Sequence, residues 1–164
     1  MSKNLMMSNL IFALLFTVNV NAGTGNYPSG PNPVMTPGAL CTNSNTYRYA
    51  EHIKYCDRSV GGSLKNQIIR DYDSKLGFSI QKMPRNDFKI DHFIPLSIGG
   101  ANDVTNLWPQ HKSVYQHSDP LESDVSVLMV NGRIKQAEAI RVIRECKLNL
   151  TKCAELDRYL RSLM

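Results

Sequence analysis

The chain has 164 residues, 42% hydrophobic and 20% charged, with a formal net charge of +5. That length leaves room for one domain with a modest core, and beyond the first 22 residues no apolar run is long enough to cross a bilayer. The moderate positive charge suits a polyanionic partner without requiring one.

Residues 1–22, MSKNLMMSNLIFALLFTVNVNA, carry Lys3, an apolar run from Leu10 to Val18, and short side chains around Ala22. This is the pattern of an export signal cut near Ala22, too short and wrongly flanked for a membrane span. Its removal leaves a charge of about +4 and predicts a secreted or periplasmic protein with no membrane segment in the mature form. Residues 23–40 follow as a leader. Its stretch from Gly23 to Gly38 is rich in Gly, Pro, Ser and Asn and lacks Lys and Arg, which predicts a passive, mobile arm. Residues 41–164 are expected to form the single folded domain. In Thr46 to Cys56, Tyr49, Ile53 and Cys56 recur at spacings of four and three, the signature of one helical face, with His52 exposed beside charged neighbours. Gly61-Gly62 breaks the chain. Ser63 then caps a predicted helix from Leu64 to Leu76, whose stripe of Leu64, Ile68, Tyr72 and Leu76 is core packing and which Gly77 ends.

The residues able to do chemistry are concentrated in Lys89 to Gln110, KIDHFIPLSIGGANDVTNLWPQ. Phe88-Lys89-Ile90 is a short alternating run that delivers Asp91 and His92 side by side at a strand end. Pro95 stops the pairing, Gly99-Gly100 and Asn102-Asp103 make a tight loop, and Asn106-Leu107-Trp108 forms a second strand before Pro109. A carboxylate suits a hard divalent cation, and a neutral imidazole is a base whose pKa lies near working pH. Asn106 cannot titrate, so its task is orientation: its side chain pins either the loop or the imidazole.

The pattern D-H-x-I-P-L-x-x-G-G-x-N-D-x-x-N-L-W-P-Q, Asp91 to Gln110, resembles the first two-thirds of the HNH endonuclease motif in its secreted bacterial form. The wider resemblance runs loosely from Thr36-Pro37-Gly38 to about Ile143. It implies an α+β fold, a small, mostly helical domain around a ββα-metal hairpin-helix unit. It also implies hydrolysis of phosphodiester bonds of DNA, with RNA as a second substrate, using one magnesium or manganese ion. Asp91 would hold the ion and His92 would take the proton from the attacking water.

The α of that unit is predicted from Ser118 or Asp119 as cap, with Pro120 in its first turn, through the apolar face Leu121, Val125 and Leu128 to Asn131-Gly132. In the family this helix supplies the last metal ligand. Secreted relatives show Asp-x-Leu-Glu followed by a His one turn on; this chain keeps Asp119, Leu121 and Glu122 but has Ser126 at the His position. The resemblance therefore carries over Glu122, with His117 as the imidazole to test and Asp119 and His111 as further candidates. Arg85, Lys89 and Lys112 flank the hairpin and are expected to face a phosphate backbone. No base-reading helix is recognisable, which predicts little sequence preference. The alternative reading is a nucleic-acid- or protein-binding module that keeps the ββα scaffold without catalysis.

Two further helices are predicted after Arg133, one on Ile134, Ala137, Ile140, Val142 and Ile143, the other on Leu156, Tyr159, Leu160 and Leu163. The four cysteines are even in number in an exported chain, which predicts two disulfides. Cys41–Cys56 with Cys146–Cys153 is the simplest pairing because each closes a short loop, and the other two pairings stay open. No C-x-x-C pair flanks the hairpin, so a structural zinc has no ligands there.

Overall fold

Apolar and polar side chains alternate from Phe88, and these residues form β3 (Phe88–His92), antiparallel to β4 (Leu107–His111). The computed structural model describes residues 25–164, so the expected export signal and its cut lie outside the described residues. Phe88 faces His111, Asp91 faces Trp108 and His92 faces Leu107 in an unbroken register. Pro109 does not end the second strand as the sequence predicted. It sits inside β4 opposite Ile90, because in a two-stranded ribbon each strand has a free edge where a missing N–H costs no ladder bond. Asn106 belongs to the short 3₁₀ turn just before β4.

The loop between the strands returns tightly at Gly99-Gly100. Gly99 has φ of 92°, and a Cβ on Gly100 would collide with the Ile94 carbonyl. The loop also feeds two apolar cores. Phe93 joins Phe88, Ile90, Leu107, Trp108 and the helix α1 (Gly62–Leu76) on one side. Ile94 and Ile98 join α2 (Lys112–Val130), α3 (Gln136–Leu148) and α4 (Cys153–Arg161) on the other. Among the described residues, no helix is long and apolar enough to cross a membrane.

The segment Thr46 to Cys56 departs from its predicted helix. It folds as a hairpin, β1 (Tyr47–Arg48) paired with β2 (Ile53–Lys54). Tyr49 and His52 take φ of 59° and 53°, and the His52 N–H donates to the Tyr49 carbonyl across the turn. So short a periodic stretch is a marginal helix on its own, and tertiary bonds override it. Cys41–Cys56 ties its end, and the Tyr49 hydroxyl donates to the Ser97 carbonyl at 2.7 Å.

The helix α1 matches its predicted stripe, with Ile68 and Tyr72 buried and Leu64 and Leu76 partly so. Its N-cap is Gly61 rather than Ser63, and its end is Gly77, at φ of 77°, whose N–H reaches the Asp73 carbonyl. The helix α2 starts about two turns earlier than predicted. His111 caps it by accepting the Ser113 N–H on Nδ1, which places Pro120 inside the helix, on an exposed side where it forfeits one backbone bond.

The leader is also a correction. From Gly25 onward it packs onto the domain: Pro28, Pro31 and Thr36 are buried, and Tyr27 stacks on His111 with ring centroids 3.8 Å apart. Thr36 Oγ1 lies 2.7 Å from the Tyr72 hydroxyl, which also accepts the Asn32 N–H. Aperiodic Pro-rich chain can pack in this way because proline has little backbone freedom to lose. Both disulfides take the simplest pairing, Cys41–Cys56 and Cys146–Cys153, and no free cysteine remains among the described residues.

Candidate metal centre and histidine site

Alternation along β3 places Lys89 and Asp91 on one face, opposite Gln110 and Trp108 of β4. The helix α2 packs against this hairpin through the side chains of its second and third turns. Gln110 Nε2 donates to Ser118 Oγ at 3.0 Å, and Lys89 Nζ donates to both oxygens of Asp119 at 2.8 and 3.1 Å. One turn on from Ser118 stands Glu122. One oxygen each from Asp91, Asp119 and Glu122 lie within 4.8 Å of one another, a hard donor set of the kind that holds magnesium or manganese.

A third element completes the cluster. Lys147, near the end of α3, is wholly buried. Its Nζ lies 2.6 Å from Glu122 Oε1, 2.6 Å from the His92 carbonyl oxygen and 3.2 Å from Asp91 Oδ2. Burial pushes the Asp91 carboxyl upward, but the charges of Lys147 and Lys89 outweigh it and hold it below its ordinary value. Glu122 goes the other way: burial raises it, and the neighbouring Asp91 charge adds to the rise against the pull of Lys147. Burial disfavours the Lys147 ammonium, yet the two carboxylates hold its pKa above the usual lysine value. The cage is therefore already cation-bearing.

His92 sits on the next residue and feels the Asp91 charge. Its Nε2 is 3.0 Å from Asn102 Oδ1, and the same amide donates through Nδ2 to the Asp57 carbonyl at 2.6 Å. With the amide so anchored, Nε2 must carry the proton, which leaves Nδ1 as the basic nitrogen. Burial lowers the imidazole pKa below its ordinary value, and the positive charges of Arg58 and Lys147 press the same way against Asn102 and Asp91. The ring is held neutral at neutral pH. A cleft lined by Ala39, Thr42, Cys56, Asp103 and Thr105 opens onto Asn102.

Asn106 pins the loop and not the imidazole. Its Oδ1 accepts the Ile94 N–H at 2.8 Å, and its Nδ2 donates to the Ile94 and Ala101 carbonyls at 2.9 Å each. The structure brings Asp91 and Glu122 together, leaves His117 out, and turns the imidazole of His92 to the other face of the strand, toward Asn102. His117 is exposed, with Gln116 3.4 Å away as its contact, and Asp119 is the second helix residue in the cluster. His111 is used as the cap of α2. Ser126 donates back to the Glu122 carbonyl within the helix at 2.8 Å.

The flanking cations are largely engaged internally. Arg85 donates to the Phe88 carbonyl, Lys112 pairs with Asp87 at 2.7 Å, and Lys89 is held by Asp119. Sequence reasoning missed Asn102 and Lys147. Lys147 had a signal, since it follows Ile143 by four residues on the buried stripe of α3, where a lysine needs a partner. No family model matches the chain, and no curated protein or solved structure matches it either.

Proposed function

We propose that the chain is an exported hydrolase of HNH type that cleaves phosphodiester bonds of DNA, and of RNA as a second substrate, with little sequence preference. One observation carries this reading: the carboxylates of Asp91, Asp119 and Glu122 gather where the hairpin meets the following helix, with His92 the next residue along the strand from Asp91. The order β3, β4, α2 and the motif from Asp91 to Gln110 support it. The three carboxylates, hard oxygen donors within 4.8 Å of one another, support the fit of a divalent cation. A magnesium or manganese ion held by these carboxylates would supply Lewis acidity toward a phosphate oxygen.

The chain's own residues divide the remaining work. His92 Nδ1 takes the proton of the attacking water, Asn102 holds the ring in the tautomer that leaves Nδ1 basic, and Asn106 keeps the loop rigid beneath both. The two disulfides fit an oxidising compartment outside the cytosol, which agrees with an export signal at residues 1–22.

Incubating oxidised mature protein with supercoiled plasmid, single-stranded DNA and RNA tests the reading. Cleavage with magnesium or manganese that EDTA stops and His92→Ala abolishes is the expected result. A second reading has its own support: Lys147 already neutralises Asp91 and Glu122, and Ser126 stands where the resemblance implies a His. Under that reading the ββα unit binds nucleic acid or protein without cutting. Clean protein that binds but cuts nothing under any metal decides for it.

A further inference from the structure

The ammonium of Lys147 donates to the His92 carbonyl and to Asp91 Oδ2, and it pairs in charge with Glu122 Oε1 at 2.6 Å. The group has no exposure to solvent, so it does not reach for a substrate phosphate. Two of the three oxygens belong to the carboxylates that would hold a divalent ion. Lys147 and such an ion draw on the same negative charge and repel one another.

Gly30 of the leader packs against the backbone at the end of α3, where a Cβ would stand 2.6 Å from the Lys147 carbonyl oxygen. The other groups facing the cage are Lys89, which pairs with Asp119 at 2.8 Å and Asp91 at 3.9 Å, and His92, whose ring is hydrogen-bonded to Asn102. Counting Asp91, Asp119 and Glu122 against Lys89 and Lys147, three carboxylates meet two ammoniums and leave one formal negative charge.

We infer that Lys147 is a resident counter-cation: it holds the carboxylate pair together in the metal-free fold and keeps divalent-ion affinity low, leaving the unshared oxygens of Asp91 and Glu122 to take the ion. This rests on the reading of the cluster as a divalent-cation site. Removing the ammonium doubles the formal negative charge of the cage. Manganese affinity then rises by at least about tenfold, and the metal-free fold loses stability because buried Asp91 and partly buried Glu122 lose their shared ammonium.

The test uses oxidised mature protein and manganese alone as the probe, with binding read from the spin-resonance signal of free Mn²⁺ and stability from thermal melts in EDTA and in manganese. Lys147→Met is expected to melt lower than wild type in EDTA, to recover in manganese and to bind the ion at least about tenfold more tightly. The double variant Lys147→Met with Glu122→Gln removes the excess charge, so its metal-free stability and its manganese affinity return toward wild type. Should Lys147→Met fail to fold in EDTA, folding on addition of manganese supports the inference, and failure to fold with manganese overturns it. A folded Lys147→Met that binds manganese no more tightly than wild type overturns it while the metal reading stands. Absence of manganese binding in wild type and both variants overturns the metal reading itself, and this inference with it.

Discussion

Asn102 stands between the Asp57 carbonyl and the Nε2 of His92, at 2.6 Å from one and 3.0 Å from the other. A residue of the hairpin loop thereby transmits the position of a distant segment to the imidazole. The amide has one donor end and one acceptor end, and both are used, so the ring tautomer follows from the backbone position of Asp57.

Asn102→Ala removes the tautomer lock and leaves His92 in place. Cleavage is expected to fall by roughly tenfold, against a fall of about a hundredfold or more for His92→Ala, since orientation is only part of what a general base contributes. Single-turnover rates on plasmid separate the two. Equal losses would show that Asn102 does more than orient.

The pH profile follows from the buried ring. His92 has its pKa depressed in the fold, so the contribution of its neutral form to stability is present above about pH 6.5 and is lost as pH falls through the lower folded value. Catalysis that needs the neutral ring follows the same limb. At pH 6.5 more than half of the plateau kcat/KM is expected to persist, measured at constant saturating metal. An acid limb centred at or above 6.5 contradicts the assignment.

Asn106 is wholly buried and satisfies one N–H and two carbonyls. Asn106→Ala strands these groups and is expected to cost about 3 kcal/mol, read from urea denaturation. Asn106→Asp keeps the acceptor and loses both donors, so it too destabilises. A loss confined to activity, with unchanged stability, would move Asn106 from the loop to the chemistry.

Cys41–Cys56 closes a loop of sequence separation 15, worth about 3 kcal/mol in the chain-entropy picture. Cys56 adjoins Asp57, so Cys41→Ser with Cys56→Ser should cost activity as well as stability by freeing the carbonyl that anchors Asn102. Opening Cys146–Cys153 by paired serine substitution should act on stability alone if Lys147 keeps its place. Comparing kcat with melting temperature for the two paired variants separates these effects.

Much of this was readable in the residues, and the misreadings have particular causes. The strand carrying Asp91 and His92, the α1 stripe, the helix with Leu121, Val125 and Leu128, and the two local disulfides follow from alternation, periodicity and spacing. Tyr49, Ile53 and Cys56 imitate a helix face because a hairpin with two left-handed residues can show the same spacing by accident. The first turn of a helix is proline's common position, and the cap at His111 outweighs that preference for Pro120. Lys147 shows in the sequence only as a lysine on a buried stripe, its partner Asp91 lying 56 residues away, and Asn102 acquires its role from the Asp57 carbonyl, 45 residues away.

The ammonium that compensates Asp91 arrives 56 residues later in the chain. A folding chain that has formed only β3, β4 and α2 carries three carboxylates in mutual repulsion, relieved by Lys89 alone. Docking of α3 removes that repulsion, so the hairpin and the C-terminal helices stabilise one another across a long loop closure. The molecule should consequently unfold in a single cooperative transition, with the hairpin amides exchanging their hydrogens no faster than those of α3.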